Sequence, residues 1–281
     1  MSTETTAAPR LDLRDGNSIP HLGLGTWPMD PDQAEEAVDT AIALGYRLID
    51  TAARYGNEVG VGRGIARAGV PREELFVTTK LRGAQHGYEA ALAGFEESRA
   101  RLGLDYVDLF LIHWPLPGRD LYVDTWHAFV ELCEQGLARS IGVSNFTPLH
   151  IERLFHETGV TPAVNQIEIH PGFGQAETIA RDAQRGIVDQ AWSPLGAGSD
   201  LLRHRLIGEL ARVYDVTPAQ VVLRWHVQRG TIPIPKSADP QRQAQNLEVF
   251  GFGLSDAEMA SMARLDRSHR LGGDPDTYEE F

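Results

Sequence analysis

Asp50, Lys80 and His113 each close a short apolar run, and Tyr55 follows Asp50 within the segment DTAARYGNE. These four residue types can together pass a proton to a carbonyl oxygen. A tyrosine ionises near ~10, too high for efficient proton exchange at neutral pH unless its surroundings stabilise the phenolate. A neighbouring lysine supplies that stabilisation. A buried Lys80 in turn needs a counter-charge to stay ionised, which Asp50 offers. His113 adds a neutral hydrogen-bond donor that holds the carbonyl oxygen against the tyrosine hydroxyl. Taken singly, each residue has a structural role open to it: Asp50 as a cap, Lys80 as a solvated strand end, Tyr55 as a core aromatic, His113 as a satisfied loop histidine. What those separate roles leave unexplained is the placement of all four on one face.

That face is created by the elements around them. Apolar strand-like runs at 22–25, 47–50, 75–80, 107–113, 140–144, 163–168, 187–192 and 232–235 alternate with amphipathic helical stretches at 32–44, 58–68, 88–102, 121–135, 148–157, 176–184, 218–228 and 240–249. A further helical segment, 202–214, is inserted before the seventh of these helices. Eight strand–helix pairs without a compositional break predict an α/β protein with a closed (β/α)8 TIM barrel rather than a doubly wound sheet. In front of them, residues 11–20 alternate apolar and polar around Asp15-Gly16 and read as an N-terminal β-hairpin. Residues 1–9 are expected to be a flexible arm, and 10–281 a single barrel domain that includes a C-terminal surface loop from about residue 266.

The C-terminal ends of barrel strands converge, so the residues there are the site candidates. They are Asp50, Lys80, His113, Ser144 with Asn145, Gln166, Trp192 with Ser193, and Lys236 with Ser237, polar where a core would be apolar. The first strand-helix turn, GLGTW, lacks the third glycine of a G-x-G-x-x-G dinucleotide fingerprint, so any nucleotide must be held in another way.

Composition narrows the classes. A chain of 281 residues, 42% hydrophobic, can bury one large core, and its formal charge of −13 argues against general nucleic-acid binding. A single anion could still be held by a local basic pocket. Cys133 is the only cysteine, which excludes an internal disulfide and a thiolate metal cluster, and no metal site is expected. No apolar run reaches membrane-spanning length and residues 1–10 lack a secretory pattern, so a cytoplasmic protein, monomeric and free of membrane partners, is expected.

In combination, the segments RLIDTAARYGNE, TTK, LFLIHWP, RSIGVSNF, NQIEIHP and IPKSADPQRQAQN resemble the aldo-keto reductases, most closely the bacterial 2,5-diketo-gluconate reductase-like branch. The resemblance runs from about residue 25 to about residue 250. It implies a catalytic tetrad of Asp50, Tyr55, Lys80 and His113 and an NADPH (NADP+) cofactor. It implies further that Ser144, Asn145 and Gln166 hold the nicotinamide carboxamide and that Trp192 stacks on the ring, with Thr26, Asp50, Ser193 and Leu195 also along the cofactor. Lys236, Ser237 and Arg242 are assigned to the adenosine 2′-phosphate, and Gln245 and Asn246 to the adenine. Two cations and a hydroxyl make a sensible phosphate site. Asp239, where relatives often carry Thr or Arg, and Gln245, where many carry Glu, imply only a modest preference for NADPH over NADH.

Trp27 and Trp114 are expected as walls of the substrate pocket for a small-molecule carbonyl compound. The loop at 195–200 is short, implying weak gating of the cofactor. Arg54 stands where the family usually has a small or apolar residue; it either draws an anionic substrate to the mouth or pairs with Glu58. Two other functions stand beside the reductase: a slow-turnover cofactor-sensing binding protein on the same fold, and a lyase using Lys80 as a Schiff base. The intact Asp, Tyr, Lys and His set favours the reductase, because a binding module has no use for it.

Overall fold

Glycines make the barrel seam possible. A Cβ on Gly23 would lie 2.6 Å from the Leu48 side chain, and one on Gly25 would lie 3.0 Å from the Ile234 carbonyl. Without side chains there, the first barrel strand closes against the last, with Gly23 N donating to the Pro233 carbonyl and Gly25 N to the Pro235 carbonyl, each at 3.1 Å. In the computed structural model, which describes residues 8–280, the hairpin strands β1 (Arg10–Asp12) and β2 (Ser18–Pro20) pair antiparallel. Eight parallel strands follow in sequential order: β3 (Leu24–Gly25), β4 (Leu48–Asp50), β5 (Phe76–Leu81), β6 (Val107–Ile112), β7 (Ala138–Ser144), β8 (Val164–Glu168), β9 (Val188–Trp192) and β10 (Ile232–Pro233). The expected TIM barrel with its hairpin is what forms. The hairpin residues Leu13 and Ile19 pack with Leu48, Phe76, Leu109 and Leu111.

The surrounding helices are α1 (Pro31–Leu44), α2 (Glu58–Arg67), α3 (Tyr88–Leu102), α4 (Tyr122–Glu134), α5 (Pro148–Thr158), α6 (Ala176–Gln184), α7 (Arg205–Tyr214), α8 (Pro218–Gln228), α9 (Pro240–Leu247) and α10 (Asp256–Ala263). Four of them start the same way: Asp30, Thr147, Thr217 and Asp239 each cap a helix that opens on proline. The cap side chain satisfies an orphan N–H, and proline loses nothing at a position with no intrahelical partner for its nitrogen. The main core lies between strands and helices, where Val38, Ile49, Val77, Phe95, Phe110 and Phe129 are fully enclosed. Among the described residues no helix is long and apolar enough to cross a membrane.

Several expectations change. The inserted segment is a 3-10 turn over Asp200–Arg203 followed by α7, separated by His204, which caps the helix. β10 is regular for only two residues, since Pro233 and Pro235 have no N–H to give a ladder. Helix α10 was not foreseen, although Ser255 and Glu258 form the capping box that announces it. Of the expected flexible arm, residues 1–7 lie outside the described residues, whereas Ala8 packs on the core and the Pro9 carbonyl accepts from His21 N at 2.8 Å.

The C-terminal segment departs most from its expected place on the surface. It has no regular structure, yet two carboxylates fasten it. Glu168, at the end of β8, accepts from Leu271 N at 2.6 Å and Gly272 N at 2.8 Å, while Glu280 turns inward and accepts from Gly83 N at 2.6 Å. Between these points Gly272 crosses Trp192 so closely that a Cβ would meet the indole at 2.4 Å, and Tyr278 lies on Trp114 with ring centroids 4.1 Å apart. Backbone N–H groups without strand partners need acceptors, and buried carboxylates supply them.

Candidate active site

In the motif RYGNE, three residues, Gly56, Asn57 and Glu58, position Tyr55. Gly56 takes the left-handed conformation at φ +70°, turning the chain after Tyr55. Asn57 is fully buried; its amide donates to the carbonyls of Thr26 and Met29 at 3.1 and 3.0 Å, and its oxygen accepts from Thr51 Oγ1 at 2.8 Å. It therefore staples the loop after β3 to the loop after β4. Glu58, also buried, accepts from Thr79 Oγ1 at 2.6 Å and pairs with Arg101 at 2.7 Å. With both oxygens committed there, Glu58 is not the partner of Arg54, so that pairing does not occur. Arg54 is exposed, borders the cavity and makes no ion pair among the described residues.

Lys80 has no solvent exposure, and its three ammonium protons have three acceptors: Asp50 Oδ1 at 2.6 Å, the Thr51 carbonyl at 3.0 Å and the Tyr55 hydroxyl at 3.2 Å. Burial would depress its basicity, but Asp50 and Tyr55 outweigh that and hold the ammonium above the ordinary lysine value. Asp50 is fixed from its other side by Gln166 Nε2 at 2.7 Å, which also donates to Gln190 Oε1 at 3.0 Å. Burial pushes the Tyr55 hydroxyl up; Lys80 draws it down, while Asp50 and Glu280 add to the rise, so the hydroxyl ends above its ordinary value. The lysine thus acts in the expected direction without reversing the sum, and Tyr55 keeps its proton at neutral pH.

His113 sits edge-on to Tyr55, with ring centroids 5.8 Å apart. Its Nδ1 lies 2.7 Å from Glu280 Oε1, although the ring nitrogen is not well aligned on that oxygen. A carboxylate thus lies beside the histidine expected as a neutral donor. Nothing in the sequence marked Glu280, a residue in a segment without periodicity.

A cavity of about 670 Å³ opens over these groups, bordered by Trp27, Arg54, Tyr55, His113 and Trp114 and also by Thr26, Asp50, Ser144, Asn145, Gln166, Trp192, Ser193, Leu195 and Lys236. That size suits a ligand site. Tyr278 and Glu280 from the C-terminal segment complete the lining. Asn145 and Ser193 hold positive φ, +64° and +48°, directly after β7 and β9, an uncommon conformation for non-glycine residues at turns that line this cavity. The Asn145 amide donates to the His113 carbonyl at 3.0 Å and Ser144 Oγ at 3.1 Å, and its oxygen accepts from Trp192 Nε1 at 2.8 Å. Gln166 Oε1, by contrast, takes no hydrogen bond among the described residues, which leaves an acceptor beside the cavity for an amide N–H.

The residues assigned to the adenosine end split in two. Lys236 and Arg242 are exposed and make no ion pair among the described residues. Ser237 is buried, exchanging hydrogen bonds with the backbone of Asp239 at 3.1 and 3.2 Å. Asp239 Oδ1 accepts from Arg242 N at 3.0 Å, so the carboxylate that departs from the family pattern serves as the cap of α9. Gln245 is half-buried and Asn246 is buried, while the Tyr46 hydroxyl donates to the Gln243 carbonyl at 3.1 Å. Two unpaired cations with a nearby hydroxyl are the donor set a phosphate needs.

Residues 21–267 match the Aldo/keto reductase family, and the chain belongs to that family. Within it, the chain is 50% identical over 273 residues to 2,5-diketo-D-gluconic acid reductase B of Corynebacterium sp. (strain SHS752001), covering 97% of this chain and 99% of that one. It is 46% identical over 271 residues to methylglyoxal reductase DkgA of Escherichia coli (strain K12), covering 95% and 97%. Among solved structures, the Bombyx mori aldo-keto reductase in complex with NADP superposes with a TM-score of 0.90 at 39% identity, covering 96% of this chain and 97% of that one.

Proposed function

We propose that this chain is an NADPH-dependent reductase of aldehydes or ketones, with Tyr55 as the general acid. The observation that carries the reading is the placement of the Lys80 ammonium between Asp50 at 2.6 Å and the Tyr55 hydroxyl at 3.2 Å, beside a cavity of ligand size. The group supplying the reductant fits: an open acceptor on Gln166, an indole at Trp192 and unpaired Lys236 and Arg242 match an amide, an aromatic ring and a phosphate. NADPH, when bound, supplies the hydride to the carbonyl carbon.

The protein groups handle the oxygen. As charge builds there, the Tyr55 hydroxyl gives up its proton, and Lys80 neutralises the phenolate left behind. Asp50 keeps Lys80 ionised in a place where a lone ammonium would lose its proton. Gln166 and Thr51 hold Asp50 and Lys80 in register. Arg54 at the mouth favours carbonyl compounds that carry a carboxylate or phosphate, in keeping with the diketo-gluconic acid named for one relative.

A steady-state assay with NADPH and a panel of aldehydes, keto acids and diketo-sugars tests this reading. Turnover that falls with Tyr55→Phe is expected. Binding of NADPH without turnover of any carbonyl compound would favour the cofactor-sensing protein, and borohydride trapping of an adduct on Lys80 would favour the lyase.

A further inference from the structure

An amide in the cavity wall owes its orientation to a second amide sealed inside the barrel. Gln166 on β8 and Gln190 on β9 stand side by side in the strand register, 1% and 0% exposed. Gln166 borders the cavity, whereas Gln190 takes no part in its wall.

Three contacts fix which end of each amide points where. Asp50 Oδ1 accepts from the Lys80 ammonium at 2.6 Å, and a carboxylate offers only acceptors. The group that reaches Asp50 Oδ2 at 2.7 Å is therefore the Gln166 Nε2, which also donates to Gln190 at 3.0 Å. Only an oxygen can accept there, so Gln190 turns Oε1 toward Gln166 and Nε2 away. Gln190 Nε2 is then left without an acceptor among the described residues, on a side chain that water does not reach. A leucine would avoid that unpaired donor, so burial alone gives no reason for a glutamine here.

The consequence appears at the cavity. With both N–H groups of Gln166 drawn inward, its Oε1 is the end left for a ligand. The neighbouring polar side chains are committed elsewhere: Asn145 donates to the His113 carbonyl and Ser144 Oγ and accepts from Trp192 Nε1, and Ser144 Oγ donates to the Gln166 carbonyl. Among these three side chains, an N–H on a bound molecule finds its open acceptor at Gln166.

We propose that Gln190 is a positioning residue for cofactor recognition: it holds the Gln166 amide with its oxygen toward the cavity, so that the site selects the N–H of a nicotinamide carboxamide. The inference rests on the reading above, in which an NADP cofactor occupies the cavity. Without an oxygen on residue 190, the second Gln166 N–H would be buried and unpaired, and rotation of the amide into the cavity would hydrate it. The ligand N–H would then face a donor instead of an acceptor.

Binding to the full-length protein is read by quenching of intrinsic fluorescence with two probes, NADP+ and its 3-acetylpyridine analogue, which carries a methyl group where the carboxamide has NH2. Wild type is expected to prefer NADP+ about fivefold, the worth of one neutral hydrogen bond. Gln190→Leu should bring that ratio close to one, through weaker binding of NADP+ with the analogue little changed. Gln190→Glu should restore it, since a buried carboxyl near Asp50 stays protonated and its carbonyl oxygen still accepts from Gln166. A purely structural role would weaken both probes alike and gain nothing from Gln190→Glu. In the ligand-free protein, side-chain 1H–15N spectra, with Gln166 assigned from a Gln166→Met sample, should show both amide protons slow to exchange with water in wild type and one made fast in Gln190→Leu. With normal binding of NADP+ by wild type, a probe ratio or an exchange pattern that Gln190→Leu leaves unchanged overturns this proposal alone. Wild type that binds neither probe overturns the cofactor reading and this proposal with it.

Discussion

The floor of the cavity and its rim are built on opposite plans. On the floor, Asp50 and Lys80 on the neighbouring strands β4 and β5 meet Gln166 from β8 across the barrel, all at most 3% exposed, with the ammonium and both carboxylate oxygens committed. On the rim, Arg54, Lys236 and Arg242 are exposed and make no ion pair among the described residues. A fully bonded buried network costs no reorganisation when charge develops, which suits it to chemistry. Unpaired exposed cations do nothing for stability and are free to meet an anionic ligand, which suits them to recognition. The two regions should therefore fail differently when altered.

The largest effect is expected on the floor. Tyr55→Phe keeps the ring but removes the transferable proton, and kcat should fall by ~10² to 10⁴. Titration by quenching of intrinsic fluorescence should show NADPH affinity unchanged. Comparable turnover in this variant would erase the distinction between floor and rim.

On the rim, Arg242 is proposed to meet the 2′-phosphate; a charge-assisted contact of that kind is worth ~1.5–3 kcal/mol, so Arg242→Ala should raise the NADPH dissociation constant about ten- to a hundredfold. NADH binding should stay as it was. An equal loss for both cofactors would show that Arg242 serves the helix or the adenine, and that the rim is less open than its exposure indicates.

Smaller still is the change expected for Arg54→Ala. An exposed ion pair is worth up to ~1 kcal/mol, about fivefold in kcat/KM, and the loss should appear for a keto acid but not for its neutral ester. Added salt should erode the wild-type advantage alone. Identical acid-to-ester ratios in the two proteins would remove Arg54 from substrate choice.

The smallest effect concerns the segment that joins rim to floor. Glu280 is held below the usual carboxylate range, so its contribution to docking is complete above the unfolded value of ~4.3 and is lost as pH falls through the lowered folded value. Limited proteolysis of the C-terminal segment should accelerate in that acid window, and Glu280→Gln should lose the pH dependence. Equal cleavage across the window would mean that Glu168 and the aromatic contacts suffice.

How much of this was legible beforehand differs by residue. The tetrad residues lie at the ends of regular strands or five residues past one, and the strands announce themselves through apolar runs of the right length. Asn57 and Glu58 were visible in RYGNE, but their work as a staple and an anchor was not, since their partners Thr26, Met29, Thr79 and Arg101 are remote in sequence. Helix α10 carries a local signal of its own, the capping-box spacing of Ser255 and Glu258.

The sequence by itself determined the alternation of strands and helices, the caps that start the helices, and the residue types delivered to the barrel mouth, because local propensity and periodicity act over a few residues. Only the tertiary structure decided that Glu58 faces Arg101 rather than Arg54, that Asp239 caps a helix, and that Glu280 reaches His113. Each is a choice of partner for a carboxylate. A charge carries no directional code along the chain, so its partner is set by whichever cation or N–H the fold brings within ~3 Å where water has been removed.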